Sequence, residues 1–160
     1  MLKLGLVIAA AVVVLDQLTK AIMLDLIPDP GAGLMVTSFF NLVHVRNPGI
    51  TFGTMQGVPP WLLSGLALVI TAVLIVWLAR ADTRLLATAL GLTIGGALGN
   101  IIDRVRFGAV FDFLDFHAFG WHWPAFNVAD SAITVGVVGL LLTSMLGSQD
   151  GAKQEDNEQD

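Results

Sequence analysis

Five aspartates stand where the chain is otherwise apolar or aromatic: Asp16, Asp103, Asp112, Asp115 and Asp130. Lys20 follows Asp16 by one helical turn on the same face, Arg104 adjoins Asp103, and Asn100 and Asn127 lie in the same polar groups. Two carboxyls around a water suffice for hydrolysis. At close range they cannot both ionise cheaply, so one stays protonated. The charged one takes a proton from the water, and the neutral one hydrogen-bonds an amide carbonyl and helps protonate the leaving nitrogen. The residues alone do not rank Asp112 and Asp130 above Asp103 for this work.

Other chemistries have less to build on. His44, His117 and His122 are the only histidines, and no HExxH pair exists, so no metal is expected. Ser131 lies outside any GxSxG pattern and reads as a helix-start hydroxyl. The absence of cysteine removes disulfides, thiol nucleophiles and cysteine metal sites, and no cofactor is expected. A transporter or channel subunit stays open at this point, because buried acids and a lysine also make proton relays. Against it, the polar residues gather at one interface and form no path across.

What must position these residues is a set of membrane helices. Of 160 residues 55% are hydrophobic and 13% charged, which departs far from soluble globular chains. Runs of roughly 20 apolar residues, enough to cross about 30 Å of hydrocarbon, occur four times: Leu4 to Leu24, Trp61 to Ala79, Leu85 to Ile102 and Asn127 to Leu146. Lys3 before the first run resembles an export signal, but DQLTK follows with no small-x-small cleavage pattern, so the run reads as retained. Because successive helices alternate direction, the end of the first, the end of the third and the start of the fourth share one side. Asp16, Gln17 and Lys20, then Asn100, Asp103 and Arg104, then Asn127, Asp130 and Ser131 occupy those three ends. An ionised residue at the bilayer centre costs on the order of 2.5 to 3.5 kcal/mol, so several together require a common reason. Plainer roles also exist: Asp16 and Lys20 as an intrahelical pair with a snorkelling lysine, and Asp130 as an acid complementing a helix dipole.

The two long loops, about 36 and 24 residues, lie on the polar side. The first is rich in β-branched and aromatic residues, favouring short strands, and ends in a Gly/Pro turn, NPGITFG. The second mixes acids with Phe and Trp, as interfacial chain does. Gly91, Gly95 and Gly99 form a bare stripe on the third span, suited to close helix packing that sets Asn100 and Asp103 against a neighbour. Flanking Lys and Arg divide four against four between the sides. Lys20 and Arg104 belong with the polar group rather than with free loops, which tilts the count towards cytoplasmic termini. Residues 149–160 hold five acids against Lys153, most of the net charge of −5; the segment 148–160 is expected to be an acidic, disordered cytoplasmic tail.

Five pieces in register, DQLTK (Asp16 to Lys20), NPGITFG (Asn47 to Gly53), GGALGNIIDR (Gly95 to Arg104), VFDF (Val110 to Phe113) and FNVAD (Phe126 to Asp130), resemble the bacterial lipoprotein signal peptidases, or signal peptidase II, which are membrane aspartyl proteases. The resemblance covers residues 1 to about 147, taken as a single membrane-embedded peptidase domain. It implies that Asp112 and Asp130 are the catalytic pair. It gives Asp103 and Arg104 the support of the site and of substrate backbone, Asn47, Asn100 and Asn127 hydrogen bonds around the dyad, and Asp16 and Lys20 the bracing of the first helix.

The implied substrate is a prolipoprotein whose lipobox cysteine carries diacylglyceryl, cut just before that cysteine. Membrane lipid is the surrounding partner, nucleic acid is not a partner, and a monomer of the inner membrane with a periplasmic active site is expected. The expected architecture is an all-α integral membrane protein: four transmembrane helices, with a small periplasmic β-sheet and a short interfacial helix drawn from the loops. The segment after NPGITFG is expected to close over substrate, although Ile50 and Thr51 are larger than the residues usual there.

Overall fold

A computed structural model describes residues 1–49 and 59–157. Four long helices account for most of the chain: α1 (Leu2–Leu26), α2 (Pro60–Ala79), α3 (Arg84–Phe107) and α4 (Val128–Asn157). All four are long and apolar enough to cross a membrane. Between them lie β1 (Gly33–Thr37), β2 (Phe40–Asn47), β3 (Val110–Ala118) and β4 (Trp121–His122), an antiparallel sheet in the order β1-β2-β3-β4. The β-branched and aromatic content of the loops therefore becomes sheet, as the sequence leads one to expect. No short interfacial helix occurs among the described residues. The second loop is instead drawn into β3 and β4, whose run VFDFLDFHA favours extended backbone. Ile50, Thr51 and the segment expected to close over substrate lie outside the described residues.

Local chemistry explains the helix ends. Pro60 opens α2, where a missing N–H costs nothing. Thr83 caps α3 by accepting from Leu86 N at 3.2 Å, and Gly108 ends it in the left-handed conformation at φ 73°. The helix runs past the apolar stretch that closes at Ile102, because Asp103 and Arg104 find partners in the protein rather than in lipid. Similarly, α4 continues to Asn157, through most of the tail for which composition favours disorder. A helix already nucleated in the span can extend along Gln, Ala, Lys and Glu at little cost.

The centre of the bundle is α3, which packs on α1, α2, α4 and β3. Its glycines make this possible. A Cβ on Gly91 would lie 2.6 Å from the Gly5 carbonyl oxygen of α1, and one on Gly95 would lie 2.7 Å from that of Ala9. Gly96 faces the other way, with the Ala129 carbonyl of α4 against it. Leu78, Ala87, Leu90 and Ile94 fill the space beside Ala9, while Val7, Val14, Val69, Val73 and Leu141 face outward as a lipid-facing surface does.

Candidate active site

The polar ends of α1, α3 and α4 meet at one end of the bundle, beneath the sheet. Residue 127 organises the meeting. Asn127 Oδ1 accepts from Asp130 N at 2.9 Å, and Asp130 Oδ2 accepts from Asn127 N at 3.3 Å, a reciprocal cap at the start of α4. The same Asn127 donates through Nδ2 to Asp112 Oδ1 at 2.8 Å. One asparagine thus bonds both carboxyls, although they come from β3 and α4. The helix-start role for Asp130 is present here, and it leaves Oδ1 to accept from Asn100 Nδ2 at 2.8 Å.

Asp112 reaches this point through strand pairing. Val45 of β2 lies opposite Asp112 and Asn47 lies opposite Val110, after a register irregularity between Leu42 and Val45. Asn47 Nδ2 donates to Asp112 Oδ2 at 3.1 Å. The strand is anchored below by Phe111, fully buried, whose ring meets His44 edge-on at 4.7 Å. His44 Nδ1 donates to the Ile27 carbonyl, so Nε2 is free to accept from Arg46 Nε at 3.0 Å; this ties the end of α1 to the sheet.

Asp112 is 1% exposed. Burial, and then the charge of Asp130, push its carboxyl up to about 7, against the lowering effect of the Asn47 bond, the Lys20 charge and the Asn127 bond. Asp115, three residues along β3, differs. Burial alone would raise it, but bonds from Asn41 (2.8 Å) and His122 (2.8 Å), with the charges of His122 and His117, hold it below the usual carboxylate range. It fastens β2 and β4 to β3 and stands apart from the asparagine network.

Behind the pair lies a second layer. Lys20, 3% exposed, contacts Asp16 Oδ2 at 2.9 Å and Asp103 Oδ2 at 2.8 Å, and donates to Asn100 Oδ1 at 3.4 Å. The lysine does not snorkel outward; its head group is enclosed. Gln17, which sequence reasoning left out of the site, donates through Nε2 to Asp16, to Asp103 Oδ1 at 3.0 Å and to the Gly99 carbonyl. An amide in a lipid-crossing run beside Asp16 was the signal for it. Arg104 donates to the Gly49 carbonyl at 2.9 Å, and its buried Nε has no partner among the described residues.

A cavity of about 680 Å³ opens beside these groups. Asn47, Asn100, Arg104 and Asp130 form its polar end; Ala67, Ile70 and Leu74 of α2 with Ile133 and Val135 of α4 form its apolar wall. The nine residues to which the resemblance gives roles (Asp16, Lys20, Asn47, Asn100, Asp103, Arg104, Asp112, Asn127 and Asp130) fall within this one region, and Asp115 lies outside it.

Fold and site together define a multi-pass membrane protein whose polar chemistry is gathered at one end of its spans, beside an apolar cavity. Comparison with known proteins narrows this. Residues 8–146 match the family model described as signal peptidase (SPase) II. Relatives named lipoprotein signal peptidase include one from Methylobacterium sp. (strain 4-46), 49% identical over 89% of this chain and 88% of its own. Another, from Syntrophotalea carbinolica (strain DSM 2380 / NBRC 103641 / GraBd1), is 48% identical over 86% and 88%. A solved bacterial membrane enzyme, determined by the in meso method at 2.3 Å, superposes with a TM-score of 0.75 at 32% identity, covering 91% of this chain and 90% of that one. The chain belongs to the signal peptidase II family, a family of bacterial aspartic endopeptidases, and that membership decides against the transporter class.

Proposed function

We propose that this protein cuts diacylglyceryl-modified prolipoproteins at the peptide bond preceding the lipidated cysteine, with Asp112 and Asp130 activating a water between them. The observation that carries the reading is the sharing of Asn127 by both carboxyls at the edge of a cavity that is polar at one end and apolar at the other. The ionised carboxylate takes a proton from the water, whose oxygen attacks the scissile carbonyl carbon. The protonated partner hydrogen-bonds the carbonyl oxygen, then supplies the proton that the leaving nitrogen needs as the intermediate collapses. The products are a signal peptide ending in a carboxylate and a lipoprotein with a free cysteine amine. No covalent enzyme intermediate forms.

Asn47, Asn100 and Asn127 fix the two carboxyls, and Arg104 offers donors to substrate backbone from the cavity rim. The apolar wall takes acyl chains and the signal helix, so lipid modification contributes binding as well as an address. In this reading residues 1–147 act as one domain and a monomer, the termini are cytoplasmic, and the dyad lies at the periplasmic face.

The test is cleavage by purified protein in detergent of a precursor with and without diacylglyceryl on its cysteine. Cutting of the modified precursor alone, mapped to the bond before the cysteine, is expected. Equal cutting of both forms, or a cut elsewhere, contradicts the proposal.

A further inference from the structure

Lys20 bonds neither Asp112 nor Asp130, yet it is two contacts away from the backbone amide of the residue that precedes each. Its ammonium is held between Asp16 Oδ2 and Asp103 Oδ2. Asp16 Oδ1 accepts from Ala129 N at 2.9 Å, and Asp103 Oδ2 accepts from Phe111 N at 3.1 Å. Ala129 immediately precedes Asp130, and Phe111 immediately precedes Asp112. The two arms are alike: cation, carboxylate, then the amide one residue before an aspartate of the pair.

We infer that Lys20 is a positioning residue for the reaction, setting the separation of Asp112 and Asp130 by drawing together the two acids that hold the preceding amides. The inference rests on the assignment of those two aspartates as the catalytic pair.

Several features favour this over plain bracing of α1. A buried ion pair is a poor source of stability, since apolar side chains of similar volume do as well or better. Here two buried carboxylates share one cation, an arrangement that stability alone does not ask for. The amides lie on α4 and β3, the two elements whose relative placement decides whether one water can touch both carboxyls. Nothing in α1 packing requires that Asp16 reach α4. It does so because Gly99 gives way: a Cβ there would lie 2.6 Å from Asp16 Oδ2. Gln17 closes the same two acids from the other side, so the bridge has little room to slide. A misplacement of about 1 Å in such a pair costs on the order of a hundredfold in rate.

The experiment compares K20M, K20R and the triple substitution D16N/K20M/D103N with wild type on the lipidated precursor, with activity expressed per folded molecule from thermal unfolding. The triple variant leaves neither acid of the bridge charged without its cation and so keeps the comparison decisive where K20M alone fails to fold. In the folded variants lacking the lysine, kcat should fall at least tenfold with KM within about threefold of wild type, and K20R should recover most of the loss. Exchange of the Phe111 and Ala129 amides should quicken together. A folded variant without the lysine that keeps the wild-type kcat, a loss lying wholly in KM, or a K20R no better than K20M overturns the inference. D112N and D130N run alongside. If they cleave normally, the catalytic assignment itself fails; if they are inactive while the triple variant cleaves at the wild-type rate, only the positioning role falls.

Discussion

At Asp112 burial and a neighbouring carboxyl act in the same direction, and this has consequences for both rate and stability. The proposed mechanism requires one proton on the pair, and a carboxyl raised to about 7 would hold it up to neutral pH. Cleavage should therefore decline as pH rises through about 7, read from kcat/KM against pH with the lipidated precursor. For stability the sign is fixed by the unfolded value of 3.8. The folded state binds this proton more tightly, so the contribution is full below about 4 and is lost as pH rises through about 7. An Asp112→Asn variant escapes that loss. Its thermal midpoint should gain on wild type as pH rises from about 4 to about 7, the span between the unfolded and folded values, and the gain should level off above that. Asn127 combines several jobs, so Asn127→Ala should cost about 1 kcal/mol of stability through the lost cap and at least about a hundredfold in kcat through the loosened Asp112; a variant with wild-type kcat would separate Asn127 from the chemistry.

Among the elements, the α1–α3 contact is the most exacting, because it depends on the absence of side chains. Gly95→Val should introduce methyls against the Ala9 carbonyl and Val12, destabilising by about 1 to 3 kcal/mol and lowering activity as Asp16 is pushed from Ala129; unchanged melting in detergent would refute the packing. The four spans and the glycine stripe were legible in the sequence because apolar length and small-residue spacing are local patterns. The end of α3 was not, since Phe107 rather than Ile102 closes the helix only when Asp103 has Lys20 for a partner 83 residues away in sequence. The sheet could be anticipated as strands but not as a register, and the register is what puts Asp112 opposite Val45. For the site, residue types and the sharing of one membrane side were readable. The ranking of Asp112 over Asp103 came through the family resemblance, because charge alone cannot tell an acid that holds an amide from one that meets water. Gln17 went unranked because neutral amides do not stand out by charge.

As a whole molecule the protein is a bundle with two unlike ends. Among the described residues, the end opposite the site carries the short 80–83 turn, the start of α1 and the far end of α4, while the other carries the sheet, the cavity and the buried charged side chains. A reporter fused after Asp160 should read as cytoplasmic and one placed in the β3–β4 turn as periplasmic; the reverse would invert the orientation. Removal of residues 148–160 should leave cleavage within about twofold of wild type, since none of the residues placed in the site or in the wall of its cavity lies beyond Val135.

The central claim, that two carboxyls from separate parts of the chain together break a lipidated precursor, is tested most directly by D112N and D130N in the purified cleavage assay, with folding checked by thermal unfolding. Each should remain folded and bind the precursor, and each should cut at least about a thousandfold more slowly than wild type. A folded D112N or D130N protein that processes the precursor at near the wild-type rate would contradict it.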